Sequence, residues 1–152
     1  MYTQRDREII LHIRDYFSVD DDCPKYLEDV NTIILEIKGE HITHPFFITC
    51  WRNILTVKTI KKIDIKNHSA EFFKYVLELN KGIPFGGFCY EPDCEVFAYK
   101  LDTFIFDVPS EKIILALLTS ARNVLDIYLP EMFLKAQELA LCSKKQENPT
   151  YH

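Results

Sequence analysis

The spacing of hydrophobic residues alternates along the chain between a helical period and a strand period, and this alternation restricts the possible folds. From Thr3 to Phe17 apolar residues recur at helical spacing, behind a capping-box-like start at Thr3 and Asp6. From Asn31 to Ile63 the period is two, with short interruptions, which predicts three strands in an antiparallel meander. A chain of 152 residues without a long linker is expected to fold as one domain.

The second half of the chain is predicted to repeat this order. A helix begins after N-cap side chains at Asn67 to Ser69 and ends at a glycine cap, Gly82. Three short strands follow, and one of the tight turns between them is placed at Leu101-Asp102. The predicted strands are residues 85–90, 94–100 and 103–108.

The last predicted helix starts at Pro109, is kinked or ended by Pro130, and keeps helical spacing to about Leu141. We therefore expect an α+β fold in the order α-βββ-α-βββ-α, with helices packed on a mainly antiparallel sheet. The domain is predicted to span residues 1–142. Residues 143–152 are polar and are predicted to form a disordered C-terminal tail.

Charge and targeting features argue against nucleic-acid and membrane roles. The chain has 18 Lys and Arg against 23 Asp and Glu, which gives a net charge of −5 with His neutral. Phosphate binding needs clustered basic residues, and the basic run over residues 58–66 fits a solvated strand face. No signal peptide or membrane span is expected. Five cysteines without a framework spacing fit a reducing, cytoplasmic location.

The cysteines are the most reactive groups, and Cys89 and Cys94 lie at either end of a predicted hairpin turn. Their spacing lacks the close ligand pairs of a zinc site, so we expect no metal and no cofactor. No recognisable nucleophile motif is present, so no catalytic residue is assigned. A small-ligand sensor or a thiol-dependent enzyme at this hairpin is the alternative to a binding role, and it requires a thiol of low pKa. Otherwise Cys50 and Cys89 are small buried hydrophobic groups, as free cysteines usually are.

Two further segments suggest ligand sites but lack the required pattern. The acidic run from Asp20 to Asp22 has neither the alternating oxygen ligands nor the glycine of a calcium loop. The glycines between Gly82 and Gly87 follow a helix and lead into a strand, whereas a phosphate loop leads into a helix. We interpret the first as a solvated loop and the second as a helix cap with a close strand entry.

Aromatic residues are concentrated in the second predicted meander, on both faces of its strands. Apolar side chains on a face without helices must meet a partner or remain exposed. We therefore predict a partner-binding surface, which another protein or a second copy of the chain would cover. A core shared with the helices, with scattered surface aromatics, explains the pattern equally well. The predicted surface consists of Phe97, Tyr99, Phe104 and Phe106.

Residues Leu79 to Lys100, together with Val124 to Pro130, resemble the YbjN family and the type III secretion chaperone-like fold that it shares. That family typically shows an Asn that ends the middle helix, a strand hairpin, and a final helix that runs into a cluster of Asp, an aromatic residue and Pro. Such motifs specify packing rather than chemistry. The matching positions are Asn80, Asp126, Tyr128 and Pro130.

The resemblance implies an α+β fold that often dimerises and binds proteins. Secretion chaperones of this kind are small, acidic cytosolic dimers that hold a segment of an effector protein. The full second meander predicted here departs from those chaperones. We therefore expect no catalytic activity, and a cytoplasmic chaperone-like or adaptor role that involves a protein partner or a homodimer.

Overall fold

The computed structural model describes residues 1–19 and 23–147, and within them the chain forms three α-helices and a six-stranded antiparallel sheet. The predicted α+β class is confirmed. The sheet order is β1-β2-β3-β4-β6-β5. The elements are α1 (Gln4–Tyr16), β1 (Lys25–Leu27), a 3₁₀ turn (Glu28–Val30), β2 (Thr32–Lys38), β3 (Thr43–Trp51), β4 (Ile54–Lys61), α2 (Ser69–Lys81), β5 (Gly87–Glu91), β6 (Val96–Phe104) and α3 (Glu111–Glu147).

The local signals for two helix ends are confirmed. The Thr3 hydroxyl accepts a hydrogen bond from the Asp6 backbone N–H at 3.1 Å, and the Asp6 carboxylate accepts one from the Thr3 N–H at 2.9 Å. These reciprocal bonds satisfy two helix-end donors, which is why α1 begins at Gln4. Gly82 caps the C-terminal end of α2.

The strands are divided four and two rather than three and three. The additional strand β1 pairs with β2 at the sheet edge. The predicted turn at Leu101-Asp102 is wrong, because β6 continues through it and pairs with β4, with Leu101 opposite Val57 and Asp102 opposite Thr56. Leu101 is buried and Asp102 is exposed, so the strand alternation is unbroken. The predicted third strand therefore merges into β6 up to Phe104.

The helices cover one face of the sheet and leave the other open. Residues that point to the helices are almost fully buried, as Phe46 and Ile48 on β3 show at 0% exposure each. On the opposite face Lys100 and Asp102 of β6 are exposed and Thr56 of β4 is only half-buried. No described helix covers that face, so it is the part of the sheet that a partner can reach.

The last helix is longer than the sequence pattern predicts. α3 does not end at Pro130, which lies inside it on an exposed position. The helix also continues through Glu147, past residue 143, where the disordered tail was predicted to start. Residues 148–152 of that predicted tail lie outside the described residues.

α3 also meets the length and composition criteria for a membrane-spanning helix. Its mean hydropathy reaches 1.4 in a window within Glu111–Lys144, and 33% of that window is buried inside the domain. The core helix of a soluble protein meets the same criteria, so length and composition alone do not distinguish the two. The cytoplasmic location stays a prediction.

Candidate functional site

β6 turns two of the four residues of the predicted partner surface into the core. Phe97 and Tyr99 are 1% and 0% exposed. The Phe97 ring packs against Phe72 of α2 with a centroid distance of 5.1 Å, and the Tyr99 hydroxyl donates to the Phe85 carbonyl at 2.8 Å. Burial raises the pKa of Tyr99 to about 12. The assignment of these two residues to an accessible surface is therefore wrong, because they fill the space between sheet and helices.

The other two residues of the predicted surface, Phe104 and Phe106, are 72% and 83% exposed. Phe104 ends β6 on the open face, opposite Ile54 of β4, and Ile54 lies opposite Trp51 of β3. Trp51 is 44% exposed. We call Trp51, Ile54 and Phe104 the aromatic row. The row is a line of large apolar side chains across three strands, and the partner-binding role of Phe104 and Phe106 stays a prediction.

A two-residue turn between β3 and β4 holds Trp51 and Ile54 of the row opposite each other. Arg52 and Asn53 have φ angles of 49° and 65°, the left-handed conformation that tight hairpin turns require. The Arg52 guanidinium lies 4.9 Å from the centroid of the Trp51 ring, within cation–π range. The Asn53 carbonyl accepts a hydrogen bond from the Ile105 N–H at 2.9 Å, which ties the end of β6 to the turn.

A buried carboxylate supports the same turn from the helix side. Asp6 is 2% exposed, and the Cys50 thiol donates to it at 3.7 Å. Burial by itself would raise the pKa of Asp6, but hydrogen bonds from the backbone of Thr3 and Arg52 outweigh it and lower the pKa. The ionised carboxylate thus joins the start of α1 to the turn that carries Arg52.

Sequence reasoning missed Trp51 and Ile54 as members of this surface. The segment Trp51-Arg52-Asn53-Ile54 carried the signal, because two residues between alternating apolar runs form a hairpin turn and place the flanking residues opposite each other. The pairing of Ile54 with Phe104 joins residues far apart in the chain. Local spacing does not reveal that contact.

Of the residues in the family resemblance, Asn80 joins β5 to α2, and Tyr128 joins α3 to the C-terminal end of α2. The Asn80 side chain accepts from the Phe88 N–H and donates to the Phe88 carbonyl, both at 2.8 Å. The Tyr128 hydroxyl donates to the Gly82 carbonyl at 3.4 Å. Because β5 is an edge strand, Asn80 takes the place of a missing neighbouring strand. These residues have packing roles, as the resemblance implies.

The third such residue, Asp126 of α3, pairs with a buried histidine. Nε2 of His44 lies 3.2 Å from Oδ1 of Asp126, which also accepts from the Glu40 N–H at 3.2 Å. A Cβ atom at Gly39 would lie 2.6 Å from both Oδ1 of Asp126 and Nε2 of His44, so the turn packs tightly on the pair. Burial lowers the pKa of His44, despite the opposing effect of Asp126. The histidine is therefore neutral at pH 7.

A cavity of about 220 Å³ lies beside this pair, and its walls are mainly apolar. Ile42, Leu129 and Phe133 contribute to it. Its described lining residues include no Ser, Thr or Cys that His44 would activate as a nucleophile. The pair therefore serves to hold the turn between β2 and β3 against α3.

Two of the five thiols, Cys50 and Cys89, have a raised pKa. Burial raises the pKa of Cys89, helped by the negative charge of Glu91, and burial raises the pKa of Cys50 to about 12. Cys94 is exposed. A raised pKa at Cys89 opposes the low-pKa thiol that the thiol-dependent alternative requires.

No metal-binding cluster forms among residues 1–19 and 23–147, where no three His, Cys, Asp or Glu side chains come together. The predicted solvated loop over Asp20 to Asp22 lies outside the described residues.

No model of a known protein family matches the chain, and no curated protein sequence matches it. The resemblance to the YbjN family therefore stays a prediction, as does the chaperone-like detail of the fold.

Proposed function

We propose that this protein is a non-enzymatic binding module, chaperone-like or adaptor in type, which docks another protein chain on the aromatic row. The observation that carries the proposal is the exposure of Phe104 and Trp51 in one cross-strand row on the open face. Adjacent large apolar side chains gain free energy when a partner covers them, and full burial of one contributes about 1.5–3 kcal/mol.

The residue types of the row favour recognition of a protein. Aromatic residues and arginine are enriched at the centres of protein interfaces, where they supply most of the binding free energy. Here Arg52 lies over Trp51. The Arg5 side chain donates a hydrogen bond to the carbonyl of Phe106, which follows the row. Two guanidinium groups therefore accompany the exposed rings.

This positive charge suggests the chemistry of the partner. A segment that carries an apolar side chain flanked by carboxylates would cover the row and pair with Arg5 and Arg52. A second copy docked face to face through the same row would bring like charges together, and each copy already carries a net charge of −5. We therefore favour a different protein with an acidic, apolar segment over a homodimer.

The proposal is tested by selecting twelve-residue peptides from a random display library on the immobilised protein. We expect the selected peptides to combine Asp or Glu with aromatic or aliphatic residues. Phe104→Lys should weaken their binding by about tenfold or more, since it removes an interface anchor worth at least 1.4 kcal/mol. The matched control is Leu77→Lys on α2, because Leu77 is similarly exposed at 67% and lies outside the row.

Equal binding by Phe104→Lys and wild type would refute the aromatic row as the docking site. Light scattering of the wild-type protein measures its molar mass and so tests separately whether the chain forms a homodimer. A dimer that Phe104→Lys dissociates and Leu77→Lys leaves intact would identify a second copy as the occupant of the row.

A further inference from the structure

His68, the residue immediately before α2, has a buried side chain without hydrogen bonds. It is 7% exposed, and neither Nδ1 nor Nε2 has a hydrogen-bond partner among the described residues. Buried polar groups in folded proteins are nearly always paired, and an exception commonly marks a missing water, ion or ligand. The ring lines a cavity of about 400 Å³, which is within the size range of small-molecule sites.

The cavity lies at the N-terminal end of α2, and this end has no side-chain cap. His68 occupies the cap position, but no side chain there accepts a hydrogen bond from the helix, contrary to the N-cap role predicted for Asn67 to Ser69. The first backbone N–H groups of a helix without such a cap attract anions, and the helix dipole adds positive potential. The thirteen residues of α2 are enough to build this potential.

The side chains around the cavity reinforce its positive charge. Lys66 reaches it from the loop before α2, and Lys144 reaches it from α3. One carboxylate, Asp64, is also in the lining, but its Oδ1 accepts the Lys66 backbone N–H at 3.2 Å. Two lysines and one aspartate therefore line the cavity beside the N-terminal end of α2, whose first turn also carries Glu71.

The remaining walls provide both hydrogen bonds and an apolar contact. Asn67 and Gln137 contribute amide groups, while Phe133 and Ala136 contribute apolar surface. A ligand with an anionic head and a small apolar body would satisfy both parts of this lining. A bare inorganic ion would leave the Phe133 side unfilled.

We propose that this cavity binds a small phosphate monoester, with its phosphate between Lys66, Lys144 and the N-terminus of α2 and its apolar body against Phe133. A dianionic phosphate matches two lysines and a helix end better than a single carboxylate does. His68 turns about its Cβ–Cγ bond on binding and donates one ring N–H to a phosphate oxygen. This site is separate from the aromatic row, and its occupancy does not depend on protein docking.

The test uses four compounds, phenyl phosphate, inorganic phosphate, benzoate and phenol, titrated into the full chain and followed by the ¹⁵N signals of the histidine rings. We expect phenyl phosphate to bind about tenfold or more tightly than each of the others, and to shift the His68 ring signal. Equal affinity for phenyl phosphate and phenol would overturn the anion site. Tighter binding of benzoate than of phenyl phosphate would overturn the assignment to a phosphate ester.

Two pairs of variants separate binding from folding. Lys144→Ala should weaken binding of phenyl phosphate by about tenfold, while Lys112→Ala at the exposed start of α3 should leave it unchanged. His68→Asp supplies a preferred helix cap, so it should raise the melting temperature while its carboxylate abolishes binding. Binding that survives in both Lys144→Ala and His68→Asp would overturn the proposal.

Discussion

Replacement of Asn80 by Ala removes the one side chain, among the residues that the structure describes, that pairs with the free edge of β5. The two hydrogen bonds to Phe88 are both 2.8 Å long, and Phe88 is 5% exposed, so water does not readily replace them. Each such bond contributes about 1 kcal/mol, and a buried group left unpaired costs about 1–3 kcal/mol. Alanine is the better helix former by about 0.5 kcal/mol. We therefore expect a net loss of about 1.5–3 kcal/mol.

Urea unfolding measures this loss. The dependence of the unfolding free energy on urea concentration should be the same in the variant and the wild type, because both expose the same area on unfolding. Asn123→Ala is the matched control, because Asn123 lies exposed on α3 and should show only the small gain in helix propensity. Hydrogen exchange should also show faster exchange at the Phe88 amide. If Asn80→Ala is as stable as Asn123→Ala, the edge-pairing role of Asn80 is refuted.

The core ring of Phe97, the buried His44 and the thiols each give a measurable expectation. Phe97→Ala should lower the free energy of unfolding by about 3–5 kcal/mol, since the ring is 1% exposed; a loss below 1 kcal/mol in urea unfolding would show that the ring is not in the core. Because the pKa of His44 is lowered in the folded state, the unfolded chain binds a proton there that the folded chain does not. The melting temperature should therefore fall as the pH drops through about 6.5. His44→Gln should weaken this pH dependence of the melting temperature. Cys89 should react slowly with iodoacetamide at pH 7 and Cys50 only after unfolding, as judged by mass spectrometry; fast alkylation of Cys89 would revive the thiol-dependent alternative.

The positions of the helices and of the β2 to β4 meander could be predicted because their signals are local, although the end of α3 and the N-cap of α2 were predicted wrongly. Reciprocal hydrogen bonds between Thr3 and Asp6 are encoded within four residues, and Gly82 ends α2 through its own backbone. The turn at Leu101-Asp102 was predicted wrongly because Asp commonly favours turns. Here its carboxylate accepts the hydroxyl hydrogen bond of Thr56, a partner from another strand.

That single error also produced the mixed surface of four aromatic residues. With β6 continuous, Phe104 lies an odd number of positions after Phe97, so strand alternation places the two side chains on opposite faces. A turn between them would have allowed a common face. The pairing of His44 with Asp126 and the unpaired ring of His68 depend on contacts with α3 and the loop before α2, which no local spacing encodes.

The single tryptophan of the chain reports directly on the docking of another protein on the aromatic row. Trp51 is the only Trp, it belongs to the row, and it is 44% exposed. Titration with a selected acidic peptide should shift its fluorescence to shorter wavelength and protect it from acrylamide quenching, because the partner excludes water from the ring. A peptide that binds with the same affinity while the Trp51 spectrum and quenching stay unchanged would show that the partner docks elsewhere than on the aromatic row.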